Sequence, residues 1–399
     1  MFEPSHHPRV FGVAPGEDFP RAIVDGVMAR MKGKAPERLA RVRILVNTRR
    51  MQRRLRSLFV EQGPMLLPRI GLVTEIDALV PAVRLPVSST KARRRLELAE
   101  LVAALIDADP SIAPRAALFD LTDSLAALLD EMQGESVDPE TVATLETGDQ
   151  SGHWARSQAF LGLVTEYLAR AGGETLDAEA RQRAALSAVS VLWQSAPPHD
   201  PVLIAGSTGS RGTTAALMKA VSSLPQGALI LPGYDDTLPK AIWSNLQKHP
   251  DQEDHPQYRF AALLQSLDLS PSEVENWHGS APSISRNRLI SLSLRPAPVT
   301  HQWLEIGPSL GDLRESTNDL TLLEAPNQRQ EAVAIAVAMR LAVEGGQSVA
   351  LVTPDRTLGR RVASALTRWG IVPDDSAGRP LAQTAPGRLL RMVARLPEE

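Results

Sequence analysis

Short apolar runs rich in β-branched residues recur along the chain, and most are followed by a stretch whose apolar positions return every three or four residues. This alternation of a period near two with a period near 3.6 predicts a parallel sheet covered by helices. The predicted strands are Val10 to Val13, Val42 to Val46, Ile70 to Thr74, Val202 to Ala205, Ala228 to Leu231, Leu320 to Leu323 and Val349 to Val352. From Lys91 to Trp193 the pattern is helical and lacks strand signals. Leu96, Leu98, Leu101 and Leu105, then Leu118, Leu121, Leu125, Leu128 and Leu129, are spaced as the apolar face of helices, which predicts a helical insertion. From Trp243 to Pro308 helix alternates with Pro-, Ser- and His-bearing loop, and a new strand-helix-strand unit follows. Pro-rich joints at Ala196 to Pro201 and Arg295 to Pro298 mark boundaries, and no internal repeat is evident.

Composition narrows the chemistry. At 399 residues the chain exceeds what one core normally serves, so two or three domains are expected. Apolar residues make up 43% and charged residues 22%, as in ordinary globular proteins, and the formal net charge is −3. The absence of cysteine excludes disulfides, thiolate metal sites and cysteine nucleophiles, and a cytoplasmic protein is expected. Met1 to Val10 has no basic region leading into an apolar run, so no secretory signal is read there, and no stretch approaches the roughly 18 apolar residues of a membrane helix. Helical spacing continues through Pro386 to Leu396 almost to Glu399, which predicts that the chain is the front part of a longer protein.

Three segments occupy positions where an α/β protein keeps its chemistry. The first strand leads through Phe11-Gly-Val-Ala-Pro-Gly-Glu-Asp-Phe19 into a helix, the place of a phosphate loop. A working loop, G-x-x-x-x-G-K-[ST], needs a second glycine for backbone approach, a lysine for the phosphate and a hydroxyl for magnesium. With Gly12 as the first glycine, those places hold Glu17, Asp18 and Phe19. With Gly16 as the second, Glu17 and Asp18 replace lysine and hydroxyl. Either register turns carboxylates toward a polyphosphate, so the loop is read as degenerate, without cofactor.

Val42 to Phe59 reads as a strand, a polar turn and a basic amphipathic helix. Leu55, Leu58 and Phe59 face inward, while Arg49, Arg50, Arg53, Arg54 and Arg56 crowd the helix start and the exposed face. Two environments suit such a face: a phosphate backbone, or solvent with surface carboxylates. The third segment, Val202 to Thr214, is a buried strand, a glycine-rich turn and a helix. Gly206, Gly209 and Gly212 do not fit G-x-G-x-x-G, no lysine precedes Thr213, and Ala205 and Gly206 stand where an ATPase strand would end in acids. Near the C-terminus, Arg356 and Arg360 sit at the mouth of a helix and are candidates for phosphate contact. His6 and His7 lie in an irregular start, and Asp251-Gln-Glu-Asp-His255 reads as a solvated loop. No metal constellation and no Ser/His/Asp set is assignable. Trp154, Trp193, Trp243, Trp277, Trp303 and Trp369 are read chiefly as core or interface anchors.

Together these motifs resemble the AddB family in its alphaproteobacterial form. The carriers are Ile44-Leu-Val-Asn-Thr-Arg-Arg50, in which Asn47 departs from the usual proline, and Leu203-Ile-Ala-Gly206. The most specific is the stretch from Leu323-Glu-Ala-Pro-Asn through Val352-Thr-Pro-Asp-Arg and Trp369-Gly-Ile to Asp375-Ser-Ala-Gly-Arg-Pro380. The resemblance implies superfamily 1 helicase-like α/β domains: a first from 1 to 90 and 196 to 314, interrupted by the helical insertion at 91 to 195, and the start of a second at 315 to 399. It also implies an AddA-type helicase-nuclease partner, a single-stranded DNA ligand met by Arg49, Arg50, Arg53, Arg54, Arg356 and Arg360, and a role in double-strand break repair and recombination. An iron-sulfur cluster would belong to a C-terminal nuclease domain that this sequence lacks. The rival expectation is a two-domain α/β enzyme that binds a nucleotide through Gly206 to Thr214. An active helicase is least expected, because of the acids at 17 and 18.

Overall fold

The computed structural model describes residues 1–399 except 6, 81, 82, 84, 136, 138–161, 163–174, 177, 211, 249–251, 377, 379 and 397–399. The chain divides into two compact units, Met1–Thr317 and Asn318–Glu399.

The first unit is built on a six-stranded, all-parallel sheet. Its strands are β1 (Val10–Gly12), β2 (Arg43–Val46), β3 (Arg69–Leu72), β6 (Val202–Ala205), β7 (Gly227–Leu231) and β8 (Glu275–Asn276), in the order β3-β2-β6-β7-β1-β8. The α/β fold with a parallel sheet is therefore the one the alternation predicts, and it is compatible with a helicase-like domain. Each central strand is apolar on both faces because both are covered, and its residues alternate between two cores. Ile44, Val46, Leu203, Ala205, Ala228 and Ile230 join α1 (Phe19–Met31) and α3 (Arg49–Glu61) through Ile23, Val27, Leu55, Leu58 and Phe59. Leu45, Val202, Ile204, Leu229 and Leu231 face the opposite layer, which includes helices Ala178–Ser195 and Gly212–Ser222 and, farther on, Lys240–Lys248 and Tyr258–Ser266. Adjacent strands β2 and β6 thus send the chain to opposite faces, as do β1 and β7. Open α/β sheets bind ligands where such loops part, beyond the carboxyl ends of the strands.

The interval expected to be purely helical contains α4 (Lys91–Ala108) and α5 (Leu118–Gly134), packed through Leu98, Leu101, Val102, Ile106, Leu125, Leu129 and Met132. Three details differ from expectation. Leu96 points to solvent at 61% exposure, off the α4 stripe. Thr175–Leu176 forms a two-residue strand, β5, parallel to β4 (Val87–Ser88). Helix Ala178–Ser195 covers the main sheet through Ala185 and Val189.

In the second unit, helices Gln328–Glu344 and Arg356–Thr367 share a small core of Ala332, Ala336, Val362, Ala365 and Leu366. Helix Ala385–Arg395 follows. The two strands expected here, Leu320 to Leu323 and Val349 to Val352, do not form. Among the described residues neither has a hydrogen-bonded partner strand, and Leu322 and Val352 are 87% and 93% exposed. A β-rich run becomes a strand only when a neighbour completes its ladder.

Tryptophans at two positions are core anchors. Trp243 stacks on Tyr234, with ring centroids 5.2 Å apart, and Trp277 packs edge-on against Phe11 at 5.2 Å. The Trp277 indole donates to the Ala22 carbonyl at 3.0 Å, and this close approach requires glycine at 26, where an added Cβ would lie 2.2 Å from the indole nitrogen. Trp154 lies outside the described residues. Gly26→Ala should therefore overpack this corner and lower unfolding stability by about 1–3 kcal/mol. Urea denaturation checks this, and an unchanged midpoint contradicts it.

Candidate nucleic-acid interface

The loops after β1, β2 and β6 meet at the carboxyl edge of the sheet. Gly206, at φ +81°, sits between two of them: a Cβ there would lie 3.1 Å from the Phe19 ring and 3.9 Å from Asn47 Oδ1. Each loop feeds a helix whose first N–H groups need a partner from outside the helix. A carboxylate, a hydroxyl or a bound phosphate can serve.

At α1 the chain supplies its own anion. Asp18 caps the helix by accepting from the Arg21 N–H at 3.2 Å. Gly12 is glycine for a packing reason, since a Cβ would lie 2.8 Å from Tyr234 Cβ. Gly16, at φ +84°, makes the left-handed turn. The turn is held by Asn287, which donates to the Pro15 carbonyl at 3.0 Å. Glu17 folds back against Gly279, where a Cβ would collide with its carboxylate. Its Oε2 is buried and accepts no hydrogen bond, and burial raises its pKa, with His278 acting in the opposite direction. The place of a phosphate loop is thus filled by the protein's own carboxylates and by Phe19.

The helix after β6, Gly212–Ser222, is also served from within. Glu135, at the end of α5, accepts from the Gly212 N–H at 3.2 Å. Gly212 itself presses on the insertion, since a Cβ would lie 2.6 Å from the Gly134 carbonyl oxygen. Gly206 and Gly209 adopt positive φ, and the Gly209 N–H donates to Ser207 Oγ at 3.3 Å. Arg211 lies outside the described residues. A carboxylate at the start of this helix repels the nucleotide that the rival reading would bring there.

The third helix, α3, differs. Its cap is neutral: Thr48 accepts from the Met51 N–H at 3.1 Å, and its first turn carries Arg49 and Arg50. A cation such as Arg49 at the positive end of a helix dipole is unfavourable, and an anion beside it relieves the cost. Helical spacing divides the arginines into stripes. On one, Arg54 lies 4.0 Å from Asp18 and 3.7 Å from Glu61, in a cluster that Arg21 shares. On the other, four residues apart, Arg49 and Arg53 are exposed and form no ion pair among the described residues. Arg56 donates to the Ile70 carbonyl at 3.4 Å, as does Gln52 at 2.6 Å, tying the helix to β3. Arg50 is exposed and belongs to the helix start. The structure therefore leaves Arg49 and Arg53 exposed and without an ion pair among the described residues, and Arg54 paired with carboxylates.

Arg356 and Arg360 belong to the second unit. Both are exposed, and Arg360 Nε donates to the Arg356 carbonyl at 3.3 Å. Asp355 caps their helix, accepting from the Thr357 N–H at 2.7 Å, and these hydrogen bonds hold its carboxyl below the usual range. Among the described residues no group of three or more His, Asp or Glu side chains gathers as metal ligands would, and no helix is long and apolar enough to cross a membrane. No protein-family model matches the chain, and no curated protein matches it.

Two outcomes follow. Protonated Glu17 suits its site and ionised Glu17 does not, so the stability it contributes is present at low pH and is lost as pH rises through its raised pKa. Glu17→Gln should melt higher than the parent chain at about pH 7, with the difference vanishing toward about pH 4. A difference that is constant across that range contradicts the assignment. ATP with magnesium should leave the melting temperature unchanged, whereas a ligand at 100 times its Kd would stabilise by about 2.7 kcal/mol. A saturable rise contradicts self-filling of the helix ends.

Proposed function

We propose that this chain is a non-catalytic, helicase-like scaffold of the AddB type, which guides single-stranded DNA while an AddA-type partner supplies the motor. Its setting is the processing of double-strand break ends for recombinational repair, in the cytoplasm. The observation that carries this reading is the contrast among three helix starts at one sheet edge. Asp18 and Glu135 serve two of them, whereas neutral Thr48 caps the third, beside which Arg49 and Arg53 are exposed. That combination disfavours nucleotide chemistry and favours contact with a phosphate backbone. Such contact is independent of base sequence, and guanidinium groups suit it because their planar fork pairs with phosphate oxygens. The net charge of −3 restricts attraction for DNA to local basic surfaces. The resemblance in Ile44 to Arg50 supports the same location, because the corresponding segment of active helicases meets single-stranded DNA.

Anisotropy of a labelled single strand across a salt series tests this reading. The Arg49→Ala/Arg53→Ala variant should bind every sequence more weakly and flatten the log–log salt slope by about 1.4, from about 0.7 per lost phosphate contact. Unchanged affinity and slope would assign these arginines to solvent.

A further inference from the structure

The second unit contains a basic groove that includes Arg360, already a candidate for phosphate contact, and lies outside the α3 interface. It lies between helices Gln328–Glu344 and Arg356–Thr367, has a volume of about 1490 Å³, and is lined by arginines at 329, 360, 361 and 368. Asn327, Gln328, Thr357 and Ser364 add amide and hydroxyl groups, Trp369 adds a ring, and no carboxylate is among its lining residues. The guanidinium groups come from both walls: Arg329 from the first turn of one helix, Arg360 and Arg361 from the other, and Arg368 from just beyond its end.

Neutralisation from within is weak. Asp355 is engaged chiefly in capping its helix, and of the four arginines Arg361 is the one whose charge acts on it. Arg361 donates to Gln328 Oε1 at 2.6 Å, a neutral partner that bridges the two walls. None of Arg329, Arg360, Arg361 and Arg368 forms an ion pair among the described residues. Four like charges around one concavity repel one another, and a multivalent anion relieves that repulsion. The groove also offers an apolar plate. Trp369 is half-buried and carries the Arg340 guanidinium 5.0 Å from its ring centroid, which restrains the indole. Arginines along a groove beside an aromatic ring are the combination that binds single-stranded nucleic acid, phosphates against guanidinium and a base against the ring.

We propose that this groove binds the phosphodiester backbone of a single nucleic-acid strand through Arg329, Arg360, Arg361 and Arg368, with Trp369 receiving a base. The assignment of strand rather than free polyphosphate rests on the proposed function. The residues belong to the other unit, so the two ideas fail separately.

The experiment uses the full chain and a fluorescent oligo(dT) strand in anisotropy titrations over a salt series. Arg329→Ala/Arg368→Ala, at two exposed positions, should retain the parent melting curve. It should bind about three- to tenfold more weakly at low salt, with a log–log slope flatter by about 1.4. If this variant weakens binding while Arg49→Ala/Arg53→Ala does not, the groove stands and the assignment to α3 falls. The converse overturns the groove, and parent-like behaviour of both overturns both. Because a double substitution could disturb folding, photo-crosslinking of a bromouracil-substituted strand to the unaltered chain gives an independent readout. The adduct should map to the peptide containing Trp369. Adducts confined to other peptides overturn the base contact. Tripolyphosphate serves as competitor: displacement of the strand only at a large molar excess supports the proposal. Displacement at equal phosphate concentration would make the groove a site for free polyphosphate and overturn it.

Discussion

The sheet's carboxyl edge is organised by one requirement: the first N–H groups of every helix that starts there must find acceptors. Asp18 meets it at α1, Glu135 at the helix after β6, and Thr48 at α3. The first two acceptors are anionic and the third is neutral. Carboxylates stand at the first two helices, where a nucleotide-binding α/β protein would hold phosphate, with Asp18 also paired to Arg21 and Arg54, while α3 adds guanidinium charge to the positive end of its dipole.

The framework beneath gives these loops fixed positions. The central strands are buried on both faces, so the loops emerge from a packed scaffold. They are pinned laterally by close contacts: Tyr234 against Gly12, Phe19 against Gly206, and Gly279 against Glu17. The region around 277–279 does more than continue the sheet. Trp277 locks the back of α1 through Ala22, and Gly279 confines a carboxylate whose Oε2 has no hydrogen-bond partner.

Much of this was legible in the sequence, for identifiable reasons. Strands apolar on both faces announce themselves, so β1, β2, β6 and β7 were readable, and the edge strand β3 could be read from Ile70 and Leu72. By contrast, β8 consists of Glu275 and Asn276, both exposed, and has no apolar signal. Leu320 to Leu323 carries the right residues but has no partner strand, a fact of tertiary context. The stripe of Arg49 and Arg53 could be read from helical spacing. The pairing of Arg54 with Glu61 was within reach at seven residues' separation. Its pairing with Asp18, and the cap that Glu135 places on a helix 77 residues later, depend on the folded arrangement. The same applies to the groove of the second unit: Arg360 was a candidate from its helix, whereas Arg329 and Arg368 join it only because two helices pack side by side.

The central claim is that two helix starts are closed to phosphate and one is open, and amide chemical-shift mapping tests it most directly. Pyrophosphate titrated into the deuterated, nitrogen-15-labelled chain should shift the amides of Arg49, Arg50 and Met51 in a saturable way, leaving those of Phe19 and Arg21 and of Gly212 and Thr213 in place. Saturable shifts at Phe19 or Gly212, with the start of α3 unmoved, would contradict the account.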